Sequence, residues 1–500
     1  MVRLFASLKG LPVLAAASVF AGASLPTIPE DKTTPGQQRL AINGPNSMTL
    51  GWNTFQKLSR PCVKYGTSSD KLDKEACSTS SVTYPTSRTH ANVVTLTGLA
   101  PATTYFYKIE STNSTVEHFF SPRTSGDKTP FTMNVVIDLG VYGADGFTIK
   151  QDERKRDTIP QIDPSLNHTT INQLAKTVDD YEFIVHPGDF AYADDWFLKP
   201  KNLFDGEDAF QAILEQFYTQ LAPISGRKAY MASPGNHEAA CQEIPFLTGL
   251  CPEGQKNFTD FMVRFGETMA TAFPSTSATE TAKVNANKAR LLAKPPFWYS
   301  FEYGMVHFVM INTETDFEDA PDGPGVFGGL NSGPFGTPNQ QLEFLEADLA
   351  SVDRTVTPWL LIGGHRPWYS TGGKGCKPCQ AAFEPLLYKY GVDLAIFGHV
   401  HNSQRFLPAF QDKADPNGYN DPKAPMYIVA GGAGNIEGLS SIGKNVSFNA
   451  FAYDDDFSYA QVRFLDAQNL QVDFVKSDTG ELLDTSRLFK SHKEQFVVQA

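Results

Sequence analysis

Five segments of the chain each end an apolar run in a residue able to bind a metal or move a proton. Val135-Val136-Ile137 runs into Asp138-Leu139-Gly140, Ile184-Val185 into Gly188-Asp189-Phe190-Ala191-Tyr192, and Tyr230-Met231 into Gly235-Asn236-His237-Glu238. Leu361-Ile362 leads to Gly363-Gly364-His365, and Ile396-Phe397 to Gly398-His399-Val400-His401. Carboxylate, phenol, amide and imidazole groups can all serve as ligands to a metal ion. Alternate residues leaving a strand can turn two imidazoles, His399 and His401, around one cluster. Five of the ten histidines, His186 among them, lie in or beside these loops. Singly, each residue has a bland alternative: a turn Asp, a turn Asn, a core histidine, a packed tyrosine. Their joint order is what points to a metal site, and the neighbouring glycines let the backbone approach a bound ion or phosphate closely.

Such residues converge only if the runs are adjacent strands. From about residue 129 the apolar runs at 133–137, 183–186, 306–311, 359–362, 394–397 and 426–429 do not alternate, which predicts strands buried on both faces. Helices are predicted over 171–180 and 338–352, the second with a Thr337 cap, Pro338 in its first turn and Leu342, Leu345 and Leu349 on one face. Strands near 459–464 and 470–475 close the domain. Two segments, 268–289 and 319–339, read as long inserted loops. In such α/β folds the functional crevice lies outside the carboxyl ends of strands, where all five segments end. Upstream, residues 26–123 alternate like short strands with turn punctuation. The Leu99, Pro101, Tyr105, Tyr107 spacing resembles the tyrosine corner of fibronectin type III-like domains, with Trp52 as the core tryptophan. The expected architecture is a small all-β fibronectin type III-like sandwich over 24–128, then an α/β domain over 129–500, a layered β-sandwich flanked by helices.

Composition narrows the partners. With 500 residues, 42 Lys+Arg against 55 Asp+Glu and a formal charge of -13, the chain is large enough for two domains and has no basic tract to grip nucleic acid. No apolar run reaches the roughly 18 residues of a membrane-spanning helix. The apolar stretch at 11–23 follows Arg3 and Lys9 and ends in Ala21-Gly22-Ala23, so residues 1–23 read as a secretion signal. Four N-glycosylation sequons at Asn113, Asn167, Asn257 and Asn445 agree with export. So do three sequence-local cysteine pairs, Cys62/Cys77, Cys241/Cys251 and Cys376/Cys379, read as short disulfides. A zinc site at Cys376 and Cys379 is set aside, because no second CxxC or histidine pair lies at finger spacing.

The series Asp138-x-Gly140, Gly188-Asp189-x-x-Tyr192, Gly235-Asn236-His237-Glu238, strand-end His365 and Gly398-His399-x-His401 resembles the calcineurin-like metallophosphoesterase superfamily. Tyr192, three residues after Asp189, narrows the resemblance to the purple acid phosphatases, in their large two-domain fungal and plant form. It spans most of 26–480. The resemblance implies a secreted acid phosphatase that hydrolyses phosphate monoesters by metal-hydroxide attack. It implies Asp138, Asp189, Tyr192 and His401 around a ferric ion and Asp189, Asn236, His365 and His399 around a divalent ion (zinc, iron or manganese), Asp189 bridging. Three anionic ligands against five positive charges would leave about two positive charges to bind a phosphate dianion. His237 has no ligand role in that pattern and is expected to be the general acid, with Glu238 orienting or charging its ring. Asn236, His237 and Arg366 are the expected substrate contacts.

One departure stands out. Large plant members carry one or two further histidines shortly after the position of His365, whereas here Arg366-Pro367-Trp368-Tyr369 and the loop to Cys376 have none. Arg366 or Lys374 is therefore the expected replacement cation, the alternative for Arg366 being a solvated or core-stapling residue. Two competing readings are a phosphodiesterase or pyrophosphatase on the same scaffold, against which Tyr192 argues, and an extracellular interaction protein with a vestigial site, against which the filled ligand set argues.

Overall fold

The computed structural model describes residues 25–141, 169–198, 206–239, 251–270, 279–324, 332–373 and 375–492. The expected leader, Asn167, Cys241 and Lys374 lie outside them. The alternating N-terminal strands close on themselves as two layers. Gly36–Ile42, Met48–Thr54 and His90–Leu96, with Ser81–Val82 at the edge, face Lys74–Cys77, Cys62–Gly66, Thr104–Ile109 and Glu117–Phe120. Trp52 is fully buried between them, and the Tyr105 hydroxyl accepts a hydrogen bond from the Ala100 N–H at 2.9 Å, which is the tyrosine corner. The Cys62–Cys77 disulfide joins positions paired across adjacent strands.

The non-alternating runs form two sheets packed face to face. One orders Leu482–Phe489, Asn469–Lys476, Ser458–Phe464, Phe131–Val135, Phe183–Pro187 and Ala229–Ser233, then continues into Gly36–Ile42 of the sandwich through the parallel pair Leu40 and Ala229. Hydrogen bonding thus has no break between the sandwich and the α/β part. The other orders Tyr299–Tyr303, Val306–Met310, Trp359–Gly363, Leu394–Phe397, Met426–Ala430, Ser403–Phe406 and Asn449–Tyr453. Aromatic rings lock the layers, Phe183 meeting Phe301 at 5.9 Å and Tyr303 at 4.8 Å between centroids. No helix among the described residues is long and apolar enough to cross a membrane.

Two local expectations change. Segment 268–289 is not only loop: Glu280–Leu292 is a helix, capped by Thr279 accepting from Ala282 N–H, and it buries Ala282, Ala286 and Ala289. Small side chains at helical spacing hid among serines and threonines. The downstream helix is Gln340–Leu349 and Thr337 does not cap it. Instead the Thr337 N–H and hydroxyl both donate to Gln340 Oε1, at 2.8 and 3.2 Å, and the helix starts after Asn339 in a left-handed conformation (φ 61°).

His307, on Val306–Met310, is buried between two carboxylates, Nδ1 lying 3.3 Å from Glu302 and Nε2 2.8 Å from Asp348. Burial alone would lower its pKa, but Asp348 and then Glu302 outweigh it and push it up to about 10. A raised folded pKa adds stability that is fully present below about 6.5 and fades as pH climbs through about 10. His307→Gln should therefore lose about 3–5 kcal/mol at pH 5, the cost of buried charge left without its partner. Unfolding at pH 5 and pH 10 checks this: the penalty should shrink at the higher pH.

Candidate metal centre

The five loops meet where the carboxyl ends of the parallel strands of both sheets come together. Asp138 follows Phe131–Val135, Asp189 and Tyr192 follow Phe183–Pro187, and Asn236 and His237 follow Ala229–Ser233 in one sheet. His365 follows Trp359–Gly363, and His399 and His401 follow Leu394–Phe397 in the other. Four of these residues hold left-handed backbone, Asp138 at φ 59°, Asp189 at 57°, Tyr192 at 53° and His399 at 65°. Such strain in non-glycine residues persists where the surroundings enforce it and gathers at functional sites. Gly188 (φ 98°) is needed for closeness too, since a Cβ there would lie 2.6 Å from His365 Nδ1.

All seven expected ligands come together, in two groups that share Asp189. Tyr192 Oη lies 3.0 Å from Asp138 Oδ1, 3.3 Å from Asp189 Oδ2 and 2.9 Å from His401 Nε2. On the other side His365 Nε2 lies 3.0 Å from both Asn236 Oδ1 and Asp189 Oδ2, and His399 Nδ1 lies 2.9 Å from Asn236 Oδ1. Each carboxylate is held by its other oxygen: Asp138 Oδ2 accepts from His399 N–H at 2.8 Å, and Asp189 Oδ1 from His237 N–H at 2.9 Å. The outer nitrogens of His365 and His401 face the carbonyls of Pro187 at 3.2 Å and Gly438 at 3.1 Å. Both rings donate outward there, so their Nε2 lone pairs turn inward.

This arrangement fits cations better than it fits itself. The Tyr192 hydroxyl has one proton for three neighbours that all present lone pairs, and the inward lone pair of His365 faces two oxygens that also accept. Without a cation, burial and then Asp189 push Asp138 well above the usual carboxylate range. Burial, then Asp138 and Asp189, do the same to the Tyr192 phenol. Positive ions between the two groups would satisfy every one of these acceptors and reverse both shifts.

His237 lies beside the centre and not in it, its ring over Tyr192 at 4.1 Å between centroids and its Nε2 3.9 Å from Asp189 Oδ2. Its partner is not Glu238. His237 Nδ1 is 2.9 Å from Asp194 Oδ1, while Glu238 accepts the N–H groups of Asp189, Phe190 and Gly235, each at 2.9 Å, and so braces the two loops. Burial would lower the His237 pKa, but Asp194 and then Asp189 hold it well above the usual histidine value. Asp194 was not singled out from the sequence, because a carboxylate just after Tyr192 gives no local signal of its partner; it and Asp195 are both buried. Asp194→Asn should keep the metal content and lower kcat about 10-fold, more for esters with poor leaving groups. Metal analysis together with a leaving-group series checks this.

Arg366 differs from expectation. Its Nε donates to Glu314 at 2.6 Å, NH2 lies 3.4 Å from Asp322 and NH1 2.9 Å from His399 Nε2. Two buried carboxylates already neutralise it, so it is not the free cation a phosphate would need. His186 is a core histidine, with Nε2 3.2 Å from the Asp189 carbonyl and its pKa pushed down to about 3 by burial. Phe190 and Trp368 pack in the core, Phe190 stacking on Phe265 at 5.4 Å. Cys376–Cys379 is a disulfide, and Cys376 caps the helix Lys377–Lys389. Cys251 is also disulfide-bonded.

Family models match three stretches: "Purple acid Phosphatase, N-terminal domain" over 35–125, "Calcineurin-like phosphoesterase" over 165–403, and "Iron/zinc purple acid phosphatase-like protein C" over 424–485. Acid phosphatase A of Cryphonectria parasitica is 64% identical over the whole of both chains. Probable purple acid phosphatase 20 of Arabidopsis thaliana is 29% identical over 83% of this chain and 78% of that one. The structure of a purple acid phosphatase from yellow lupin seeds superposes with a TM-score of 0.64 at 21% identity, over 92% of this chain and 75% of that one, and shows the shared fold.

Proposed function

This chain belongs to the purple acid phosphatase family, and from that premise we propose that it hydrolyses phosphate monoesters at a site holding one ferric and one divalent ion. The observation that carries this reading is the pair of buried donor sets sharing Asp189, one rich in anionic oxygen and the other in imidazole. Asp138, Asp189, Tyr192 and His401 would hold the ferric ion, and Asp189, Asn236, His365 and His399 the divalent ion, zinc, iron or manganese. Bound there, the two ions would supply Lewis acidity toward the phosphoryl oxygens and make water a competent nucleophile in acid solution.

The chain's own groups do the rest. Asp189, gripped from behind by the His237 N–H, keeps both halves of the centre in register. His237, charged through Asp194, lies beside the centre and gives its proton to the departing alkoxide oxygen. Because Arg366 is held by Glu314 and Asp322, it acts on His399 and not on the substrate. The general-acid duty is therefore assigned to His237 and not to Arg366. Assays of p-nitrophenyl phosphate against bis-p-nitrophenyl phosphate test the reading. A monoester preference is expected, and a diester preference would replace it with the phosphodiesterase alternative.

Export is part of the same proposal. Asn113, Asn257 and Asn445 are all exposed, so a glycan could be carried at each, and disulfides persist in an oxidising compartment. We read residues 1–23 as a leader that is removed.

A further inference from the structure

A second cavity, about 270 Å³, opens at the opposite ends of the strands that carry the metal centre. His118, Phe119 and Phe120 of the sandwich form one side of it. Asp179, Tyr181 and Glu182, just before Phe183–Pro187, and Arg227 and Lys228, just before Ala229–Ser233, form the other. Its lining holds two acids and two bases, and their pairing is uneven. Glu182 pairs with Arg123, which donates to both its carboxylate oxygens at 2.7 and 2.5 Å and also to Asp127 at 3.2 Å. Asp179, 3.1 Å from Arg227, has a side chain 82% exposed, where ion pairing is weak. Arg227 also donates to His118 Nε2 at 3.0 Å, so that nitrogen accepts and the ring is uncharged. Burial, then Arg227, lowers the His118 pKa accordingly.

Among the described residues Arg227 thus has its one ion pair with solvent-screened Asp179, and burial lowers the pKa of the neighbouring Lys228. The Arg227 Nε is buried and has no acceptor. Lys228 Nζ sits 5.6 Å from the Tyr181 ring centroid and makes no ion pair among the described residues. A buried guanidinium donor left unfilled beside an ammonium with no ion pair has the chemistry of an anion site.

We propose that this cavity between the sandwich and the α/β part binds a small oxyanion, inorganic phosphate, held by Arg227 and Lys228. The cavity has room for a tetrahedral oxyanion with accompanying water. A ligand there would touch residues of both parts of the chain and stabilise their junction by mass action. The proposal rests on the phosphatase reading only in that phosphate is then the enzyme's own product.

Equilibrium dialysis of the metal-replete enzyme with labelled inorganic phosphate tests it. Wild type should bind two phosphates per chain, one lost when a chelator strips the metals and one retained. R227Q/K228Q should lose the retained phosphate, or bind it at least 10-fold more weakly, with kcat for monoesters unchanged. Should that variant not fold, Lys228→Gln alone serves, and Asp179→Asn, on an exposed side chain, should tighten the retained phosphate severalfold. One phosphate per chain in wild type, sensitive to the chelator, would overturn the proposal and leave the metal centre standing. So would a retained phosphate with the same affinity in these variants. A single phosphate per chain in wild type that survives the chelator would count against the metal-centre reading and leave this proposal standing.

Discussion

Asp189→Asn should lower hydrolysis by more than about 10³-fold, beyond the 10²–10³ cost of removing one preorganised donor. Its Oδ2 is the one oxygen within 3.3 Å of donors in both groups, Tyr192 on one side and His365 on the other. An amide of the same shape keeps the His237 N–H contact to Oδ1 yet removes the negative charge between two cations. Both ions should therefore be held more weakly, and elemental analysis after dialysis should find less than one metal per chain. Full metal content with full activity would remove the shared-ligand assignment. The fold should survive, because asparagine keeps the side chain's volume and its amide oxygen still accepts the His237 N–H.

His237→Asn should lower kcat by about 10² or more while leaving the metals in place, since no metal contact is assigned to this ring. The loss should depend on the ester. A leaving group of low pKa departs without much protonation, so p-nitrophenyl phosphate should suffer least and an alkyl phosphate most. Equal losses would leave the imidazolium a purely electrostatic role. Asp194→Asn should reproduce the same ordering in weaker form, because it acts through the ring it holds at 2.9 Å.

What could be read in the sequence is what local physics controls. Buried parallel strands write non-alternating apolar runs, and each of the five metal-competent segments begins where such a run ends. Tyr105 and Trp52 fell into place because their spacing follows from the corner and core of one sandwich. What stayed hidden depends on contacts far apart in the chain. Arg366 reads as a free cation until Glu314 and Asp322, 52 and 44 residues earlier, are brought against it. Glu238 sits next to His237 in sequence but turns to three backbone N–H groups, since consecutive residues in a tight turn point apart. The joining of sandwich and α/β sheet through Leu40 and Ala229 has no local signature, because pairing register is set by tertiary packing.

The central claim is that a phenolate and two carboxylates hold a ferric ion beside an imidazole-rich divalent site, and one preparation tests it. The purified protein should contain two metals per chain, at least one of them iron, and should absorb in the visible through charge transfer from the Tyr192 phenolate to Fe(III), giving a purple or pink solution. Tyr192→Phe should bleach that band and hold iron more weakly, while the packing of the ring over His237 is retained. A colourless wild-type protein with stoichiometric ferric iron, or a Tyr192→Phe spectrum identical to wild type, would contradict the assignment.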